Sequence, residues 1–275
     1  MKKGTFTTFI LILVLLLGLS LLLYPWFSDY WNSLHQSRAI ATYAENVAQL
    51  DSDRYAHIWD AANIYNGNIR NRDNVFVLSE EELADYESQL DLSGNGIMGY
   101  IEIPSIGVML PIYHGVEESV LQIAVGHIEW TSLPTGGAGT HCVLSGHRGL
   151  PSAKLFSDLD QMIPGDLFVL RILDELMTYE VDQILVVEPH EVSELMIQAG
   201  KDLCTLVTCT PYGVNSHRLL VRGHRIANTP EAVEVRVTSD GYQIEPMIVA
   251  PFVAVPLLLV FFVIIGIHDF LKRYF

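Results

Sequence analysis

Two long apolar runs without a single charge bracket this chain and limit what it can become. Residues 6–24, "FTTFILILVLLLGLSLLLY", and residues 247–267, "MIVAPFVAVPLLLVFFVIIGI", lie near the two ends. Each is about as long as a helix that crosses a bilayer. Pro251 and Pro256 would kink a helix formed by the second run, which membrane spans tolerate. The first run has the basic start of a signal peptide in Lys2 and Lys3. Its apolar part is long for a signal, and no small-x-small site precedes "YPWFSDYW", so a retained anchor is expected. Positive charge flanks both runs on their outer ends, at Lys2 and Lys3 and at Lys272 and Arg273. By the positive-inside rule, tails 1–5 and 268–275 are cytoplasmic and residues 25–246 are extracellular. The chain carries a net charge of −16, almost all its acids falling between the two runs. That balance argues against a nucleic-acid partner and against lying flat on an anionic membrane.

The outer region changes character near residue 97. Residues 29–66 read as helical, since Ile40, Tyr43, Val47 and Leu50 recur at helical spacing, with a break near Asp51. "NGNIRNRDN" (66–74) has loop composition, and "SEEE" (79–82) has the form of a capping box. From residue 97, short β-rich segments such as "IMGYIEIP", "DLFVLRIL" and "LMTYEVDQILVVE" alternate with Gly, Pro, Asp and Asn. One amphipathic helix is expected at about 191–200. Seven or eight short strands with one or two helices suggest a barrel or sandwich. Residues 226–246 read as a linker with one edge strand, "AVEVRV". The fold expected is mainly β, with a helical N-terminal region (25–96), a β domain (97–225) and two flanking transmembrane helices.

Three cysteines, 142, 204 and 209, make neither a disulfide framework nor a zinc-binding spacing. No metal and no cofactor are expected. Cys209 stands in "TLVTCTPYGVNSHRLLVRGHR" (205–225), a strand pattern, a turn-rich loop and a second strand pattern starting at Arg218. Paired as a hairpin, Cys209 and Arg218 face one another across the loop mouth. Opposed residues of antiparallel strands come within about 5 Å, so both side chains reach one substrate group. A thiolate is the reactive form of cysteine. An imidazole supplies its ion-pair partner and later a proton for the leaving amine. An arginine stays protonated, which suits it to an oxyanion rather than to a base. The residues leave several histidines open for the acid/base role: His127, His141, His147, His217 and His224. His147 follows a strand and a glycine, where a side chain is exposed at a strand end.

The combination of "LSGHRGLPSAKLFSDLD" (144–160) with "TLVTCTPYGVNSHRLLVRGHR" resembles the sortase family, specifically the pilus-assembling class C sortases. "GYIEIPSIGVMLPIYHG" (99–115) and "VGHIEWTSLPTGGAGTH" (125–141) extend the resemblance over most of 97–225. It implies an eight-stranded sortase-type β-barrel and a Cys-His-Arg cysteine transpeptidase. By position, the nucleophile falls on Cys209, the acid/base on His147, and oxyanion and substrate stabilisation on Arg218. Arg222, further along the same strand face, reads as a salt-bridging residue, His217 as a loop-ordering one, and Cys142 and Cys204 as small core residues. The implied partners are LPXTG-like sorting signals of pilin subunits and an acceptor pilin lysine at the membrane. The chain's own "SLPTGG" (132–137) lacks the apolar stretch and charged tail of a sorting signal and reads as a turn.

One stretch departs from the class C pattern. Many class C enzymes resemble one another in a lid with an Asp-Pro-aromatic motif over the thiol. Here a lid-like loop near 66–80 reads "NRDNVFVLSEEE" from residue 71. Asp73 is present, Asn74 replaces the proline, and Phe76 comes one residue late. A lid of reduced occupancy is expected. Other readings are a housekeeping sortase that attaches proteins to the wall precursor, a papain-like hydrolase, and a non-catalytic membrane-tethered scaffold. The papain-like reading is disfavoured because such enzymes place the cysteine at a helix start.

Overall fold

The computed structural model describes residues 3–70 and 76–228, together with positions 261 and 265. The elements below lie within residues 1–235, and of residues 236–275 only Phe261 and Ile265 are described, both helical. The linker beyond Asn228, the edge strand "AVEVRV", most of the second apolar run and Asp73 lie outside the described residues.

Helix α1 (Lys3–Ala48) carries the first apolar run and continues without interruption into the outer region. One helix among the described residues, Val14–Ala48, is long and apolar enough to cross a membrane. Asp51 then caps α2 (Ser52–Ile69) by accepting the Arg54 N–H, which accounts for the break in the helical pattern. Helix α3 (Glu80–Ser88) opens with the capping box read from "SEEE": Ser79 and Glu82 satisfy each other's backbone N–H groups.

Two local expectations differ from what is found. Residues 66–69 belong to α2 rather than to a loop. The Asn66 amide binds both the N–H and the C=O of Leu133 and also reaches Thr135, a tertiary contact that outweighs turn composition. The helix expected at 191–200 is only a 3₁₀ turn, Ser193–Leu195. There the Met196 carbonyl faces His141 Nδ1 at 3.0 Å, and Leu195 is buried in an apolar cluster outside the barrel.

Eight strands close into one barrel: β1 (Ile97–Ile103), β2 (Val108–His114), β3 (Val125–His127), β4 (Thr140–Ser145), β5 (Leu167–Ile172), β6 (Glu175–Val187), β7 (Asp202–Thr210) and β8 (His217–Arg225). A short helix α4 (Glu118–Leu121) precedes β3. The order around the barrel is β1-β2-β3-β4-β7-β8-β6-β5. Closure removes the exposed edges that a sheet of this size would otherwise present. The joins β2–β3 and β4–β7 are parallel and the rest antiparallel. The parallel β4–β7 join matters most for the site, because it brings the C-terminal ends of two distant strands to one rim.

Successive strand residues face opposite sides. On β7 and β8, Cys204, Leu206, Leu219 and Val221 fill the barrel core. Val207 and Leu220 face outward and form a second apolar cluster with Val143 and Leu195. Cys142 and Cys204 are register partners inside the barrel, both buried as expected of core residues. Burial pushes the Cys204 thiol well above its ordinary value. Helix α1 is docked by Tyr43, whose buried hydroxyl donates to the Met98 carbonyl and accepts the Leu173 N–H, each at 2.8 Å.

Candidate active site

The hairpin read from 205–225 is present, with a six-residue loop (211–216) and Thr210 paired to His217. Cys209 and Arg218 are direct register partners. Four outward rungs therefore run along this face: Cys209 beside Arg218, Val207 beside Leu220, Thr205 beside Arg222, and Leu203 beside His224. Cys209 is a free, half-buried thiol.

His147 approaches this rim from the β4 side. The β4–β7 register pairs Ser145 with Val207. Just beyond it, the Gly146 N–H donates to the Val207 carbonyl and the Thr208 hydroxyl donates to the Gly146 carbonyl. His147 stands two residues past that last pair, as Cys209 does on β7, so the two leave adjoining strands at one rim. Cys209 and Arg218 thus share one rung, and His147 follows the end of β4 at the same rim. Gly146 packs so closely on Phe156 that a Cβ there would meet the ring at 2.7 Å.

Arg218 has no carboxylate partner among the described residues. Its Nη1 donates to the Asn215 and His217 carbonyls at 3.3 and 3.2 Å. Arg222 is placed differently, bound to Asp182 through two bonds of 2.9 and 3.1 Å. The salt-bridging reading of Arg222 follows directly from that pair. The other candidate histidines lie elsewhere or are already engaged. His127 is fully buried between Tyr86, at 2.9 Å from Nδ1, and the Ser132 carbonyl, at 2.8 Å from Nε2. His141 is buried between the Met196 carbonyl and the Thr205 hydroxyl, and burial holds its imidazole below the ordinary value. His217 contacts the Ser216 hydroxyl at 2.8 Å and points to the opposite face of β8 from Arg218. His224 pairs with Leu203, six residues along β8 from Arg218.

The structure adds three residues that sequence reasoning did not single out. Glu118, at the start of α4, faces His147 with Oε2 3.5 Å from Nε2, too long for a good hydrogen bond. That nitrogen is otherwise buried without a partner. The Gln122 amide, and then His147, hold the Glu118 carboxyl below its ordinary value. Arg148 fastens the His147 loop to the rim: it donates to the Thr210 hydroxyl at 3.2 Å, pairs with Asp160 and lies 5.9 Å above the Tyr212 ring. Gly149, in the left-handed conformation at φ 76°, accepts that ring so closely that a Cβ would meet it at 2.8 Å. Nothing local to residues 147–149 reveals these partners, which lie at the end of β7, on the loop between β7 and β8 and at Asp160.

An apolar strip leads away from Cys209 on the outer face. Val143, Leu195, Val207 and Leu220 form it, with Trp130, Leu185 and Val187 packed against them. It runs to a cavity of about 430 Å³ lined by Ile69, Arg70, Trp130, Leu195 and Met196, among others. Phe76 packs edge-on against Trp130 with ring centroids 5.1 Å apart.

Residues 101–226 match the sortase domain family. Sortase C1 from Streptococcus agalactiae is 51% identical to this chain, with a TM-score of 0.68 over 70% of this chain and 100% of that one. The chain belongs to the sortase family. Sortases are cysteine transpeptidases, and the solved neighbours include further class C members. Sortase C from Streptococcus pneumoniae is 42% identical, with a TM-score of 0.62 over 70% of this chain and 98% of that one. Sortase D of Bacillus subtilis (strain 168) is 30% identical over 131 residues, 46% of this chain, and the matched part spans 63% of that relative's length.

Proposed function

We propose that this sortase is a membrane-anchored transpeptidase that cleaves an LPXTG-like sorting signal through an acyl-thioester on Cys209 and transfers the acyl group to a pilin lysine, polymerising pilus subunits. The rung of Cys209 and Arg218, with His147 just past the end of the neighbouring β4, carries this reading. In it, the Cys209 thiolate attacks the scissile carbonyl after the signal's threonine, and Arg218 donates to the oxygen as it becomes negative. His147 gives a proton to the departing amine. The thioester then keeps the energy of the cleaved bond, so a lysine amine resolves it without ATP, metal or cofactor. Water would yield only hydrolysis, and placing the amine beside the thioester favours transfer. The apolar strip from Val207 to Trp130 supports the binding of an extended peptide alongside the thiol. The structure of the Streptococcus pneumoniae neighbour is described for its pilin substrate specificity, which supports the pilin version of the reaction.

In the same reading, the first apolar run anchors the catalytic domain outside the cell, and the run at 247–267 forms a second span with both termini cytoplasmic. The segment around Asp73 and Phe76 is a weakened lid. The deciding experiment incubates the full chain with a pilin bearing a sorting signal and an acceptor lysine, and separately with a wall-precursor mimic. Isopeptide-linked pilin polymers and a mass-trapped acyl-Cys209 are expected. Product with the wall-precursor mimic alone would reassign the chain to a housekeeping role, and an intact Cys209→Ala activity would refute transpeptidation by this thiol.

A further inference from the structure

Helix α1 leaves its apolar run at Tyr24 and within two turns touches the loop that carries His147. The Asn32 amide donates to the Ser152 carbonyl at 2.7 Å, and the Lys154 N–H donates to Asp29 Oδ1 at 2.7 Å. One turn on, the Gln36 amide donates to the Ile123 carbonyl at 2.8 Å, just after the helix that bears Glu118. The loop itself is closed at its base by the bond from the Phe156 N–H to the His147 carbonyl. Pinning its tip at 152–154 therefore fixes its base. The two elements on either side of His147 hang from one stripe of a single helix.

That stripe is narrow. At about 100° per residue, Asp29, Asn32, Gln36, Ile40 and Tyr43 fall within a sector of about 80°. Ile40 and Tyr43 are buried on the barrel, so the polar turns at 29–36 extend the docked seam toward the membrane end. Phe27, Tyr30 and Trp31 lie on the far side of the same turns and Trp26 flanks the stripe, the rings of residues 26, 27, 30 and 31 being 73%, 58%, 54% and 40% exposed. Four large aromatic rings beside a charge-free apolar run are the composition of a membrane–water interface. At 1.5 Å per residue, Asp29 lies only about 8 Å beyond Tyr24.

We propose that this juxtamembrane segment of α1 holds the His147 loop at the bilayer surface: Trp26, Phe27, Tyr30 and Trp31 seat in the phospholipid headgroup layer, while Asp29 and Asn32 act as positioning residues for His147. The role of His147 rests on the function proposed above, but the docking and the lipid contact do not. The continuity of one helix from the apolar run to the loop selects the lipid interface as occupant of the aromatic face. A substrate whose cleavage site is held near the membrane would meet the catalytic residues at that height.

The test uses the full chain in phosphatidylcholine–phosphatidylglycerol nanodiscs. Asp29→Ala combined with Asn32→Ala should lower kcat about ten-fold with KM nearly unchanged, the signature of a displaced group rather than of lost substrate binding. Asp29→Asn, which keeps an acceptor for the Lys154 N–H, should restore most of the loss. Amide exchange at Lys154 should accelerate about ten-fold in Asp29→Ala, as loss of a charge-assisted bond implies. Fluorescence of single-tryptophan variants retaining Trp26 or Trp31 should be quenched by brominated phospholipids. Unchanged Lys154 exchange and unchanged kcat would overturn the positioning role, and unquenched Trp26 and Trp31 would overturn the lipid seat. If exchange and quenching behave as expected while no acyl-Cys209 is ever trapped, the proposed reaction fails and this coupling stands.

Discussion

Replacing Arg218 and Arg222 one at a time tests the placement of the oxyanion donor most directly. Both side chains leave the same face of β8, so alternation alone does not separate them. The register does. Arg218 is paired with Cys209, whereas Arg222 is paired with Thr205. At about 3.4 Å per residue, the four-residue offset puts the two backbones about 14 Å apart along the strand. Arg222 is also held by two bonds to Asp182, with its side chain only 14% exposed. Arg218 spends one nitrogen on two backbone carbonyls and meets no carboxylate among the described residues. Removal of an oxyanion donor costs about 10²–10³ in kcat, or about 3–4 kcal/mol in transition-state energy. Arg218→Ala should therefore lower single-turnover acylation of Cys209 by that factor, with native-like melting. Arg222→Ala should acylate at the wild-type rate and lose only about 1 kcal/mol of stability with its ion pair. The assay is mass-resolved thioester formation on a sorting-signal peptide, alongside a thermal melt. A large acylation loss in Arg222→Ala with a normal Arg218→Ala would refute the argument from register.

Four further outcomes are expected. Cys209→Ala should abolish polymer formation and His147→Ala should nearly do so, read by pilin laddering on a denaturing gel. Arg148→Met should cost about 2 kcal/mol, the worth of a hydrogen bond to a charged group, and should loosen both the His147 loop and the Tyr212 loop, seen as faster amide exchange in each. Phe76→Ala should change the rate of Cys209 labelling by a small thiol reagent very little, as expected of a weak lid; a large acceleration would contradict it. Burial holds the His114 and His141 imidazoles below their ordinary value of 6.5. The unfolded chain therefore takes up protons below about pH 6.5 that the native chain refuses, and these two groups lower stability as the pH falls through that range. A melting temperature that drops on acidification, less steeply in His141→Gln, would bear this out.

Local pattern alone set out much of this chain. The first charge-free run was legible as a helix long and apolar enough to cross a membrane, because a bilayer demands about twenty apolar residues whatever follows them. The capping box at Ser79 and the break at Asp51 were legible because caps depend on residues three apart. The hairpin carrying Cys209 and Arg218 was legible because two strand patterns and one turn lie within 21 residues. Tertiary structure decided what depends on residues far apart in the chain. The parallel β4–β7 join brings the end of β4, two residues before His147, beside the end of β7 that carries Cys209, and no local periodicity encodes a parallel partner. Asn66 extends α2 by reaching Leu133, and the His141–Met196 contact replaces the helix expected at 191–200, both by satisfying backbone groups from outside the segment. Glu118 reads as one acid among several until folding sets it beside His147. The stripe Asp29–Asn32–Gln36 reads as ordinary polar helix surface until the barrel supplies the carbonyls and the N–H it binds, because a hydrogen bond acquires its meaning only from the partner that folding brings to it.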